Sequence, residues 1–226
     1  MCKINYKDDP LAGYNKLKEI ALNSGIDVFG VADVTSIKNT FSIDEDVIEN
    51  LNYGISIGSR VSAKILDTIK EKPNKLYLHH YKTINALLDQ TGLKIANFIQ
   101  NNGFDALPVS ASVMLDWQKL DAHLSHKLVG YHAGVGWRGK NSLLVNPLYG
   151  SKVRYVTILT NFPLVADKPL SDGCGGCHKC LDNCPVQAIT EEGYDKEKCH
   201  AQLKIYQNRD HLTLICGLCV KCCNPF

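Results

Sequence analysis

The chain has 226 residues, 45% of them hydrophobic and 21% charged, enough for one sizeable globular core and a small appended module. Twenty-five basic against 23 acidic side chains leave a formal charge of +2, too little to argue by itself for nucleic acid or an anionic membrane. The N-terminus MCKINYKDDPLAGYNKL has no apolar signal core, and no later stretch approaches the about eighteen uncharged apolar residues of a membrane span, so a cytoplasmic protein with no membrane partner is expected.

Taken in chain order, KLKEIALNSG (Lys16 to Gly25) sets Leu17, Ile20 and Ala21 on one helical face and stops at a glycine cap. IDVFGVA (Ile26 to Ala32) reads as a buried strand and YGISIGS (Tyr53 to Ser59) as a second, with a helical pattern over VSAKILDTIKEK (Val61 to Lys72). The longest periodic segment, Tyr77 to Gln100, carries Tyr77, Tyr81, Ile84, Leu88, Ile95 and Phe98 near one stripe and predicts a helix. FDALPVS (Phe104 to Ser110) reads as a short strand, HLSHKLVGYHAG (His123 to Gly134) as a helix, and the β-branched VRYVTILT (Val153 to Thr160) as a central strand. Strands and helices alternate, so the body is expected to be α/β or α+β.

Two motifs mislead. GVGWRGKN (Gly134 to Asn141) fits G-x-x-x-x-G-K, but Asn141 stands where a phosphate loop needs a hydroxyl for magnesium, and a helix precedes it where a strand is required. DAHLSH (Asp121 to His126) opens like the D-x-H-x-x-G of proteins that ligate cobalt through histidine, yet His126 replaces the glycine.

Nine of the ten cysteines follow residue 173, which splits the composition into a body over residues 1–165 and a cysteine-dense module over 166–226, joined through the proline-bearing FPLVADKPLSDG. In a reducing compartment clustered thiols read as metal ligands or redox groups before disulfides. C-x2-C-x2-C-x3-C-P, formed by Cys174, Cys177, Cys180, Cys184 and Pro185, is the spacing of a bacterial ferredoxin half: three thiolates wrap one cubane and the fourth reaches to another. CGLCVKCC (Cys216 to Cys223) supplies the partner half, with Cys199 between, so two [4Fe–4S] clusters in a ferredoxin-like module are expected. Zinc held by two C-x-x-C knuckles is the competing reading, and it leaves the triplet spacing and Cys184-Pro185 unexplained. Two cubanes form an electron wire, which ends either at a redox centre or substrate in the body or at another protein.

Across most of its length the sequence resembles the epoxyqueuosine reductases, relatives of the reductive dehalogenases. The resemblance is carried by GIDVFGVA, by the helix HHYKTINALLDQTGLKIANFI (His79 to Ile99), and above all by SHKLVGYHAGVGWRGKNSLLVNPLYGSKVRYVTILTNFPL (Ser125 to Leu164) running into the cysteine module. It implies a body related to the nitroreductase fold, holding a base-off cobalamin that is reduced through the two clusters for reductive chemistry, with a nearby acid protonating the departing oxygen. Carried over by position, Cys174, Cys177, Cys180 and Cys223 hold one cluster and Cys184, Cys199, Cys216 and Cys219 the other; a ferredoxin-like second half would use Cys222 in place of Cys199. The same resemblance assigns Gly134, Gly136, Trp137, Gly139, Lys140 and Asn141 to the corrinoid pocket and sets His79, His80 and Tyr81 near it. The alternative is that the glycines shape a corner and Trp137 is core.

The sequence departs from the family at the acid. An ungapped count of the catalytic aspartate lands on Leu120; Asp121 is one position away, Asp116 is close, and neither has the surrounding motif, so Asp121 is the candidate proton donor. The chain ends at Phe226, without the helical repeats that grip tRNA in full-length relatives, which with the near-neutral charge argues for a small-molecule substrate over tRNA. A ferredoxin or flavodoxin is the expected electron donor. The competing function is a ferredoxin-like carrier or corrinoid-reducing activator whose body binds no cofactor.

Overall fold

A computed structural model describes residues 6–115, 122–210 and 213–224. In chain order the helices are α1 (Pro10–Asn23), α2 (Glu45–Ile48), α3 (Ala63–Asp67), α4 (Lys75–Asn101), α5 (His126–His132), α6 (Lys179–Asp182), α7 (Lys196–Asp210) and α8 (Leu218–Lys221). The strands are β1 (Val28–Asp33), β2 (Tyr53–Arg60), β3 (Ala106–Val109), β4 (Trp137–Arg138), β5 (Leu144–Val145) and β6 (Val153–Thr160). Packing divides the chain into two compact units: Met1–Ser59 with Asn85–Val135 and Arg154–Leu170, and Arg60–Ile84 with Gly136–Val153 and Ser171–Phe226.

The first unit is built on a four-stranded sheet in the order β1-β2-β6-β3. β1 runs antiparallel to β2 with Val28 opposite Gly58, and β3 antiparallel to β6 with Ala106 opposite Thr160. These antiparallel pairs make the fold α+β, the second of the two classes expected from the alternation of elements. Val31, Ile55, Ile57, Ile158 and Leu159 of the strands are buried with Leu17 of α1 and Leu88, Ile95 and Ile99 of α4. Burying each such side chain contributes roughly 1.5–3 kcal/mol. Phe162, fully buried just after β6, meets the edge of Phe104 at 4.9 Å. α1 starts at Pro10, before its apolar stripe, because Asp9 caps it by accepting from the Ala12 N–H at 2.9 Å.

The second unit carries the cysteines. Its hairpin β4–β5 pairs Trp137 with Val145, and its α3 ends at Asp67, five residues short of the expected Lys72. α7 was not predicted at all: it is polar on nearly every face, and Tyr206 is its one described buried hydrophobic side chain. Among the described residues no helix is long and apolar enough to cross a membrane.

Candidate metal centre

The loop from Cys174 into α6 wraps a hollow of about 440 Å³ in the second unit. Cys174, Cys177, Cys180 and Cys223 line it, and Trp137, Lys140 and Asn141 form part of its wall. Several N–H groups of this unit point at thiol sulfurs. The Trp137 indole Nε1–H donates to Cys174 Sγ at 3.3 Å, the Ser151 N–H to Cys223 Sγ at 3.3 Å, and the Ala188 N–H to Cys184 Sγ at 3.2 Å. Donors aimed at sulfur suit thiolates that carry the negative charge of an iron–sulfur core.

The remaining cysteines gather beside this group. Burial pushes the Cys216 thiol up to about 11; a hydrogen bond from the Leu218 backbone opposes this, and the nearby Cys199 and Cys184 reinforce it. Burial also raises the Cys219 thiol, followed by Cys216, Cys222, Cys199 and Cys180 in that order. Cys180 is raised to about 11 by burial, then by Cys223, Cys174 and Cys177. Cys174, Cys177, Cys180 and Cys223 share the hollow, Cys216 neighbours Cys199 and Cys184, and Cys219 has neighbours in both groups. Cys222 lies against the first group but turns its S–H away, donating to the Lys179 carbonyl at 3.3 Å and the Cys219 carbonyl at 3.4 Å. Thiols packed this closely resist ionisation unless a cationic core compensates them. Among the described residues no three His, Cys, Asp or Glu side chains converge to hold a single metal ion.

The residues expected at a corrinoid are engaged within the protein. A Cβ on Gly134, whose φ is +65°, would stand 2.5 Å from the Lys168 carbonyl oxygen. At Gly136 it would stand 2.5 Å from the Val145 carbonyl oxygen, and at Gly139 2.5 Å from Val145 Cγ2. These glycines are thus required by the chain's own close packing at the start of the β4–β5 hairpin. Lys140 Nζ reaches both carboxylate oxygens of Glu191 at 3.1 Å, and His178 Nδ1 lies 2.7 Å from the same carboxylate. The buried Asn141 amide donates to Ser151 Oγ at 3.1 Å and accepts from the Leu143 N–H at 3.2 Å, which ties the hairpin turn to the segment that meets Cys223. His80 Nε2 accepts the Ser62 N–H at 3.0 Å at the start of α3, and burial, then His79, lowers its pKa. Neither His80 nor Tyr81 lines the cysteine pocket.

Asp121, the candidate proton donor, and Asp116 lie outside the described residues. The residues flanking that segment, Val113 and Met114 before it and Ala122 to Leu124 after it, line a cavity of about 150 Å³ in the first unit. Ser110, Ala111 and His126 of its lining belong to a clamp that no sequence pattern announced. Asp89 accepts from the Ala111 N–H at 2.8 Å, the Arg154 guanidinium donates to the Ala111 carbonyl at 3.3 Å, and His126 bridges the Ser110 carbonyl at 3.0 Å and Thr157 Oγ1 at 2.9 Å. Each partner stands 16 or more residues from the one it meets, so only the tertiary fold assembles them.

The α+β fold matches those of solved epoxyqueuosine reductases and of a reductive dehalogenase. A selenomethionine-labelled epoxyqueuosine reductase superposes with a TM-score of 0.68 at 19% identity, over 98% of this chain and 66% of that one. The catabolic reductive dehalogenase NpRdhA superposes with a TM-score of 0.72 at 19% identity, over 95% of this chain and 32% of that one; a related dehalogenase structure is described as suggesting a mechanism for B12-dependent dehalogenation. In sequence the chain is a homologue of the epoxyqueuosine reductases. It is 46% identical over 81 residues to that of Bacillus cereus, covering 35% of this chain and 21% of the relative. It is 33% identical over 141 residues to that of Aliivibrio fischeri, covering 59% and 35%. The matched stretches thus span about a fifth to a third of these curated relatives. No family model matches the chain.

Proposed function

We propose that the protein is an iron–sulfur oxidoreductase of the epoxyqueuosine reductase type, holding two [4Fe–4S] clusters in a ferredoxin-like module and delivering electrons to a base-off cobalamin for reductive chemistry on a small substrate. The observation that carries the reading is the set of thiols around a hollow with N–H groups directed at Cys174, Cys223 and Cys184. Cys174, Cys177, Cys180 and Cys223 would hold one cluster and Cys184, Cys199, Cys216 and Cys219 the other. Cys222 is left as a thiol, in keeping with its S–H donation to two carbonyls. The exposed Cys177 edge gives a ferredoxin or flavodoxin donor access to the first cluster. The cobalamin is inferred from the homologues, and its chemistry when bound is reduction at cobalt. Asp121 is the proposed proton donor to the leaving oxygen.

Anaerobic reconstitution tests the reading in two stages. The protein should bind about eight irons as two cubanes. Cys199→Ser should lose about half of that iron, whereas Cys222→Ser should keep all of it; the reverse pattern would hand the eighth position to Cys222. One equivalent of cob(II)alamin should then lose the axial-nitrogen splitting in its EPR spectrum. An unchanged free-cobalamin spectrum alongside reduced-cluster signals would replace the enzyme with an electron carrier. Stoichiometric zinc in colourless protein would end the iron–sulfur reading.

A further inference from the structure

Both thiol groups receive hydrogen bonds. In the first, the Trp137 indole donates to Cys174 and the Ser151 backbone to Cys223; in the second, the Ala188 backbone donates to Cys184, the Leu218 backbone to Cys216 and the Tyr194 hydroxyl to Cys199. The backbone donors come with any sequence at those positions. In the first group the indole is a donor that a side chain supplies, and the local structure is arranged to present it.

Trp137 opens β4 and is 5% exposed, with its register fixed opposite Val145. Gly173, the residue before Cys174, packs closely against the ring: a Cβ there would come within 2.7 Å of Cζ2 and 2.9 Å of Cη2. Only glycine lets the strand of chain leading into the cysteine loop approach the indole closely enough for Nε1 to reach Sγ. On the strand side, Gly136 precedes the tryptophan and brings its backbone equally close to the Val145 carbonyl. Close packing thus fixes both the ring's neighbour and the backbone it hangs from, and its single polar atom is directed at a sulfur.

We propose that Trp137 is a positioning residue that sets the reduction potential of the cluster held by Cys174, Cys177, Cys180 and Cys223, through its indole N–H bond to Cys174 Sγ. The proposal rests on the iron–sulfur reading above. Adding one electron to a cubane makes its thiolate shell more negative; an N–H donor withdraws part of that charge and stabilises the reduced form over the oxidised one. The bond therefore raises the potential of this cluster alone, since Trp137 has no contact of this kind with Cys184, Cys199, Cys216 or Cys219.

The test is a potentiometric titration of the anaerobically reconstituted full chain, with dithionite as reductant and EPR of the reduced clusters as readout. It compares the wild type with Trp137→Phe and with protein carrying benzothienylalanine at position 137, which keeps the bicyclic shape and replaces the N–H with sulfur. The expected result is that one midpoint potential falls in both variants while the other stays where it was. Should Trp137→Phe shed iron through lost packing, the isosteric analogue still gives the answer. Both potentials unmoved in iron-replete analogue protein would overturn the proposal, and so would an equal fall in both, which would mark a general packing effect. Wild-type protein that forms no cubane would instead remove the iron–sulfur reading, and this inference with it.

Discussion

His126 puts a pH dependence into the first unit that the sequence conceals. Its Nε2 faces the Ser110 carbonyl, which accepts only, so Nε2 carries the proton and Nδ1 accepts from the Thr157 hydroxyl. Burial pushes its pKa from 6.5 down to about 4; the Ser110 bond and Asp89 oppose this, and Arg154 reinforces it. A histidine whose folded value is depressed binds more protons when unfolded across that interval, so its contribution is intact above about 6.5 and is lost as the pH falls toward 4. Allowing for its partial exposure, the loss is on the order of 2 kcal/mol. The fall in melting temperature between about pH 7.5 and pH 5 should be shallower in His126→Gln than in the wild type; parallel curves would show that another group carries the dependence. In the sequence this residue stood out only as the histidine that spoils a cobalt motif. Cysteine spacing, by contrast, is a local signal: on the iron–sulfur reading Cys174, Cys177 and Cys180 lie three apart so that they can wrap a cubane. Clamps such as His126 with Thr157 join residues 31 apart, and no local rule reaches that far.

At the scale of elements, the glycine motif that imitates a phosphate loop is the hairpin β4–β5. Gly139 N–H donates to the Leu143 carbonyl at 2.9 Å, Ser142 N–H to the Gly139 carbonyl at 2.9 Å, and Ser142 takes φ of 58°, a turn closed by a left-handed residue. Because a Cβ at Gly136 meets backbone rather than a yielding side chain, Gly136→Ala should cost on the order of 1–3 kcal/mol by overpacking. It should also displace Trp137. Gly92→Ala is the control: its Cβ would find neighbours no nearer than 3.7 Å on the long helix α4, so it should be neutral or stabilising by up to about 1 kcal/mol. Thermal unfolding reads both, and a Gly136 variant as stable as the wild type would mean that the hairpin yields. Elements were readable where burial imposed a period. β6 matches its expected span because β-branched residues fill a central strand, and α4 was visible in its stripe. α7 has no such stripe, and the first turns of α1 are fixed by the Asp9 cap and Pro10 rather than by apolar spacing.

At the scale of the whole molecule, the two units differ in what holds them. The first has a four-stranded sheet whose β1, β2 and β6 are buried almost throughout. In the second, α6 and α8 have four residues each, too short to persist on helix propensity, and α7 is polar. If iron binding supplies the folding energy that such short elements lack, metal and structure should be lost together there and only there. Oxidative chelation of the clusters, followed by hydrogen exchange, should leave the amides of β1, β2 and β6 protected while those from Cys174 to Ala188 and from Lys196 to Cys223 exchange at rates near an unfolded chain. Uniform loss of protection would mean that the sheet also depends on iron. Unchanged protection everywhere would mean that the thiol loops are held by their own packing, with Trp137 against Gly173 and Ala188 and Ile189 buried behind Cys184. The expected partition follows from the composition of the chain: nearly all of its cysteines fall in a stretch whose helices are either four residues long or polar on nearly every face, so on the iron–sulfur reading the stretch least able to bury a core of its own is the one supplied with ligands.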